Sequence, residues 1–86
     1  MITVTETELR QAIVDTLRRI APEVAPDTLD TTRPLRDQVD LDSMDWLNFL
    51  VGLHARLGID IPEADYAKLV TLDDLFAYAK AKLWKK

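Results

Sequence analysis

Apolar residues recur at helical spacing in three stretches of this chain. Thr5-Glu6-Thr7-Glu8 has the form of a capping box, and Leu9, Ile13, Leu17 and Ile20 follow it on one helical face. Pro22 ends that first helix near Ile20 or Ala21, because proline lacks the N–H and restricts the residue before it. A second helix is predicted from Ser43 to Leu57, with Gly58 as its C-cap. Thr71-Leu72-Asp73-Asp74 opens a last helix with Leu72, Leu75, Phe76, Ala79 and Leu83 on one face. Lys80, Lys82, Lys85 and Lys86 sit at its C-terminal end, where cations favour the helix dipole.

The segments between these helices have no sustained period. Residues 23–41 carry Pro26, Pro34 and several Asp and Thr residues, with Val24, Leu29, Leu35 and Val39 spaced to pin a long loop onto a core. Ile59-Asp60-Ile61-Pro62 reads as an extended crossing, followed by a short helix over Glu63–Leu69. No repeat, low-complexity tract or interdomain linker interrupts the pattern. The expected fold is all-α: a bundle of three main helices plus one short helix, with a long loop between the first two, as a single domain over residues 1–86.

The second helix is apolar over more than one face. At about 100° per residue, Trp46, Phe49, Leu50, Leu53 and Leu57 make the core stripe, while Met44, Leu47 and Val51 form a wing beside it that adjoins Ser43. Together they span roughly 220°, well beyond the minimum of about 100° that a helix needs to face a core. The wing either meets a partner or an attached chain, or is covered by the long loop or the short helix.

Charge narrows the functions available. The net charge of −4 argues against nucleic acid. Between Asp37 and Asp65 seven acids (Asp37, Asp40, Asp42, Asp45, Asp60, Glu63 and Asp65) stand against one base, Arg56. Such an acidic region around Ser43 keeps a small domain in solution, and it also draws basic surfaces on partner proteins. There is no cysteine, hence no disulfide, thiolate metal site or protein thiol nucleophile. The N-terminus has neither a basic region nor a long apolar run, and no segment is long enough to span a bilayer. A soluble, cytoplasmic, monomeric protein without nucleic-acid or membrane partners is expected.

Three chemistries fail on spacing or composition. Ser43 and His54 are separated by about 16 Å along a helix, beyond the reach of a nucleophile–base pair, and His54 is the only histidine. Asp40, Asp42 and Asp45 do not match a calcium loop, because Asp45 and Val51 stand where glycine and glutamate are required. The six aromatic residues are too few and too core-like for a nucleic-acid stacking platform. What remains is Ser43 itself, in a helix N-terminus with free backbone donors suited to a phosphodiester. A serine or aspartate there also serves simply as a cap.

Asp37-Gln38-Val39-Asp40-Leu41-Asp42-Ser43-Met44-Asp45 resembles the signature of the acyl carrier protein family, whose usual core is Asp-Ser-Leu. Leu57-Gly58-Ile59-Asp60-Ile61-Pro62 is similar to the segment after that family's second helix, and Val70-Thr71-Leu72-Asp73-Asp74-Leu75 to the start of its last. The resemblance implies a carrier rather than an enzyme, with a 4'-phosphopantetheine arm from coenzyme A esterified to Ser43. Asp42 would help the modifying transferase recognise the site. Met44, Leu47, Val51 and Ile61 would surround the arm and contact partners, with Asp45 as an acidic recognition point. The implied partners are a phosphopantetheinyl transferase, an acyl- or aminoacyl-loading ligase, and downstream synthase or transferase enzymes.

Departures from that pattern refine the expectation. Asp40 stands where glycine is common, and Met44 replaces leucine at similar volume. Asn48, Gly52, His54, Ala55 and Arg56 occupy stretches where housekeeping fatty-acid carriers resemble one another in being glutamate-rich. The resemblance therefore implies a specialised discrete carrier for a fatty-acid, polyketide or related biosynthesis. An aminoacyl carrier of the D-alanyl type is the alternative, since Asp-Ser-Met looks like that subgroup too. An unmodified helical adaptor using the Met44–Leu47–Val51 wing is the alternative of another class.

Overall fold

The computed structural model describes residues 5–84. The N-terminal stretch read for a leader is therefore described only from Thr5, and Lys85 and Lys86 lie outside the described residues. Four α-helices appear in order: α1 (Glu6–Ile20), α2 (Leu35–Gln38), α3 (Ser43–Leu57) and α4 (Leu72–Leu83). Two 3-10 segments, Pro26–Thr28 and Glu63–Lys68, lie between them. The architecture is all-α; among the described residues the only strand-like pairing is an isolated antiparallel bridge between Pro34 and Thr71.

The helix boundaries follow from local chemistry. Thr5 Oγ1 accepts the Glu8 amide at 3.1 Å while Glu8 Oε1 accepts the Thr5 amide at 3.0 Å, closing the box at the start of α1. Thr71 and Asp74 form the same reciprocal pair at α4, at 2.9 and 3.1 Å. Gly58 ends α3 with φ of 67°, the left-handed conformation in which a side chain is costly.

The core collects one stripe from each long helix: Leu9, Ile13 and Leu17 from α1, Trp46, Phe49, Leu50 and Leu53 from α3, and Leu72, Leu75 and Ala79 from α4. Val24, Leu35 and Val39 pin the long connection to that core as expected, with Leu29 half-buried beside them, and Leu41 is buried in addition. Leu57, Phe76 and Leu83 pack at the core's edge rather than inside it.

Two details of the connections differ from expectation. The long connection contains a helical turn, α2, which residues 35–38 are too few to announce by periodicity. The connection is tied to the approach and first turn of α4: the Leu35 amide donates to the Val70 carbonyl at 2.9 Å, and the Asp73 amide to the Thr31 carbonyl at 3.1 Å. The short helix predicted over Glu63–Leu69 is instead a 3-10 segment ending at Lys68, with Leu69 buried just beyond it. None of its own side chains is fully buried, and only Tyr66 packs against the core, so the segment lacks the apolar stripe that holds a longer α-helix in place.

A close helix approach fixes how α1 lies on α3. A Cβ built on Gly52 would stand 2.9 Å from Thr16 Cγ2. Thr16 is buried, and its hydroxyl donates to the Ala12 carbonyl at 2.8 Å, which holds the methyl group toward α3. Glycine is what permits this contact.

Candidate functional site

The start of α3 divides capping and exposure between two adjacent residues. Asp42 is the cap: it is extended, with φ of −80° and ψ of −179°, and its Oδ1 accepts the Asp45 amide at 2.8 Å. Its carbonyl takes the Trp46 amide at 2.9 Å, the first hydrogen bond of the helix. Ser43 is thereby released from capping and stands as the first helical residue, exposed. Among the described residues nothing hydrogen-bonds its hydroxyl. The first amides of the helix have no partner within it, so donors and a partial positive charge surround that oxygen.

The loop that delivers Ser43 is braced from beneath. Leu41 is buried, the Arg36 Nη2 donates to the Leu41 carbonyl at 3.3 Å, and the same guanidinium lies 5.9 Å from the Trp46 ring centroid. Trp46 in turn stacks obliquely on Phe49, with centroids 5.4 Å apart. Asp40, standing where glycine was noted, has an ordinary negative φ; among the described residues only Gly58 is left-handed. The turn before the serine therefore imposes no demand for glycine here.

The wing is exposed. Met44 is 67% accessible, Val51 58% and Leu47 41%, so neither the long connection nor the 3-10 segment covers them. With Ser43 they share one solvent face. Ile61 lies elsewhere, half-buried against the core, and of this group only Val51 shares a cleft with it. These two line a cleft of about 220 Å³ with Leu50, His54, Asp60 and Tyr66. Asp45 is half-buried and turned about 120° from Val51 around the helix, toward the α1 side.

Side chains that periodicity could not flag hold the cleft in shape. His54 Nδ1 hydrogen-bonds the Ile59 carbonyl, tying the end of α3 to the crossing that follows. Tyr78 donates to Asp65 Oδ2 at 2.7 Å and lies 3.3 Å from the Asp60 carbonyl, so α4 holds the 3-10 segment. Burial, then the bond to Asp65, pushes the Tyr78 phenol up to about 12. The same bond lowers the Asp65 carboxyl below its usual value. Among the described residues no group of acids and histidines is placed to hold a metal ion, and no helix is long and apolar enough to cross a membrane.

Comparison with known proteins agrees with this geometry. A family model described as "Phosphopantetheine attachment site" matches residues 7–79. The chain is 28% identical over 71 residues to an acyl carrier protein of Campylobacter hominis, spanning 83% of this chain and 84% of that protein. It is also 28% identical over 75 residues to an acyl carrier protein of an Exiguobacterium species, spanning 85% and 95%. The chain belongs to the phosphopantetheine-attachment family of acyl carrier proteins. Its cofactor is covalent 4'-phosphopantetheine, and its class is that of carriers rather than catalysts. Phosphopantetheinyl transferases and biosynthetic enzymes are the general partners of such carriers. An exposed hydroxyl with free backbone donors around it fits esterification by that group.

Proposed function

We propose that Ser43 carries the arm, and that residues 1–86 work as one carrier domain in the cytoplasm. The observation behind this reading is the division of labour at the start of α3: Asp42 takes the cap, leaving the Ser43 hydroxyl exposed and uncommitted. In the modifying step, Ser43 Oγ attacks the β-phosphorus of coenzyme A. The Oγ–P bond forms as the bond to 3',5'-ADP breaks, and the serine proton passes to a base of the transferase. Among the described residues no base hydrogen-bonds Ser43, and it needs none. The bound arm supplies a terminal thiol, and so a thioester site, to a chain that has no cysteine.

The cargo is best read as intermediates of a specialised fatty-acid, polyketide or related biosynthesis, loaded by a ligase and presented to downstream synthases or transferases. What supports a specialised role is the outer face of α3, where Asn48, His54 and Ala55 are exposed and no glutamate occurs. Asp42, besides capping, stands beside Ser43 as a recognition point; Met44, Leu47 and Val51 offer apolar contact, while Ile61 and the half-buried Asp45 lie at the margins. An aminoacyl cargo of the D-alanyl type is the second reading, supported by the Asp42-Ser43-Met44 triplet and the polar groups His54, Asp60 and Tyr66 around the cleft. Loading assays with fatty acids and amino acids and the cognate adenylating ligase separate the two. The attachment itself is tested by mass: a gain of one phosphopantetheine on wild type and none on Ser43→Ala.

A further inference from the structure

We infer that His54 is the resting point of the arm's terminal thiol: its Nε2 accepts a hydrogen bond from the free S–H, and a loaded sulfur is not held. The inference rests on Ser43 as the attachment residue. His54 is a positioning residue for the arm, not a catalytic one.

The spacing that rules out Ser43 and His54 as a catalytic pair matches the reach of the arm. Along α3 the two residues stand about 16 Å apart. From Ser43 Oγ to the terminal sulfur of phosphopantetheine there are about fourteen bonds, which span about 16 Å in an extended chain. The two residues also share a face. At about 100° per residue, His54 lies about 20° round the helix from Ser43, with Leu47 at about 40° and Val51 at about 80°. All four are exposed, so the track between the ends is open. Leu47 and Val51 offer apolar contact to the methyl and methylene groups of an arm laid along it.

His54 is held in a form that receives a donor. Its Nδ1 meets the Ile59 carbonyl, which can only accept, so Nδ1 carries the ring hydrogen and Nε2 of the neutral ring is an acceptor. Among the described residues no donor meets Nε2. One nitrogen therefore fixes the ring while the other stays uncommitted. His54 also lines the cleft of about 220 Å³ that Val51, Ile61 and Asp60 share, which has room for the short thiol end of the arm. The Asp60 carboxylate disfavours a thiolate there and keeps the sulfur protonated as a donor. A thioester has no S–H, so loading removes the donor. His54 thereby distinguishes an empty carrier from a loaded one.

The test is nuclear magnetic resonance on the whole chain, labelled with nitrogen-15 in its single histidine, at neutral pH with a reductant. Three forms are compared: the apo protein, the protein given an arm from coenzyme A, and the protein given an acetylated arm from acetyl-coenzyme A, each verified by mass. With the free thiol, Nε2 should shift as an accepting nitrogen does while Nδ1 stays, and the methylenes beside the sulfur should show contacts to the His54 ring. With the acetylated arm, Nε2 should keep its apo position. His54→Asn retains an amide donor for the Ile59 carbonyl but lacks Nε2. In that variant the contacts between those methylenes and the Val51 methyls should fall about fivefold, the effect of losing one ordinary hydrogen bond. An Nε2 resonance that the free arm leaves unmoved overturns the inference, as does a shift that survives acetylation or undiminished contacts in His54→Asn. The three-way comparison of wild type needs no variant to fold. A chain that gains no arm on Ser43 would instead overturn the attachment reading, which keeps the two failures distinct.

Discussion

Gly52→Ala tests the helix contact that presents the site. In an open helix interior this substitution stabilises by about 1 kcal/mol, because alanine loses less backbone entropy than glycine. Here the new Cβ would meet Thr16 Cγ2 at 2.9 Å, closer than carbon atoms tolerate. Thr16 cannot rotate its methyl away without giving up the 2.8 Å bond from its hydroxyl to the Ala12 carbonyl. Overpacking of a filled interface costs about 1–3 kcal/mol, so the net effect is a destabilisation of about 1 kcal/mol. For a chain of 86 residues that corresponds to a fall in Tm of about 4–8 °C by calorimetry or circular dichroism. Thr16→Ser removes the offending methyl and keeps the hydroxyl. Alone it should cost about 1 kcal/mol of buried methyl; combined with Gly52→Ala it should recover stability, giving a coupling of about 1 kcal/mol or more. A Tm for Gly52→Ala at or above wild type, or additive effects in the double variant, would refute the reasoning.

Three further outcomes follow from the geometry. Asp42→Ala should cost about 1 kcal/mol, through loss of the bond to the Asp45 amide, whereas Asp42→Asn, which still caps, should cost much less; urea melts compare them. Asp42→Asn should therefore expose any separate role of the carboxylate in modification without unfolding the start of α3. The Tyr78–Asp65 bond gives a pH dependence: Tyr78 has a folded pKa of about 12, raised above the ordinary 10, so its contribution is full below pH 10 and is lost as pH rises through about 12. Asp65 is lowered, so its contribution is present above its unfolded pKa and is lost as pH falls through the folded one. Tyr78→Phe should flatten both edges in a Tm-against-pH series, and equal slopes in the two proteins would count against the assignment.

The three long helices were legible because each carries both an apolar stripe and its own start signal. Thr5, Asp42 and Thr71 each sit one residue before an observed helix, and Pro22 and Gly58 close the first two. The serine's surroundings were legible in part. Apolar excess beside Ser43 could be read from the helix wheel, but its exposure could not, because loops of unknown course were able to cover it. Which of Asp42 and Ser43 caps the helix depends on a one-residue choice of boundary that both residue types allow. The turn at Leu35–Gln38 and the 3-10 segment were missed or misassigned for a common reason: both are held by long-range contacts, from Val70 and from Tyr78, rather than by periodicity of their own. Gly52 carried no signal at all, since its importance lies in a methyl group on another helix.

The central claim is that a cysteine-free helical chain becomes a thioester carrier through one exposed hydroxyl. Its most direct test is the intact mass of the protein after incubation with coenzyme A and a broad-specificity phosphopantetheinyl transferase, followed by fragmentation of the modified peptide. A single phosphopantetheine on Ser43 and an unmodified Ser43→Ala protein are the expected results. A modification that persists in Ser43→Ala, or wild-type protein that stays unmodified with its native host's transferases, would contradict it.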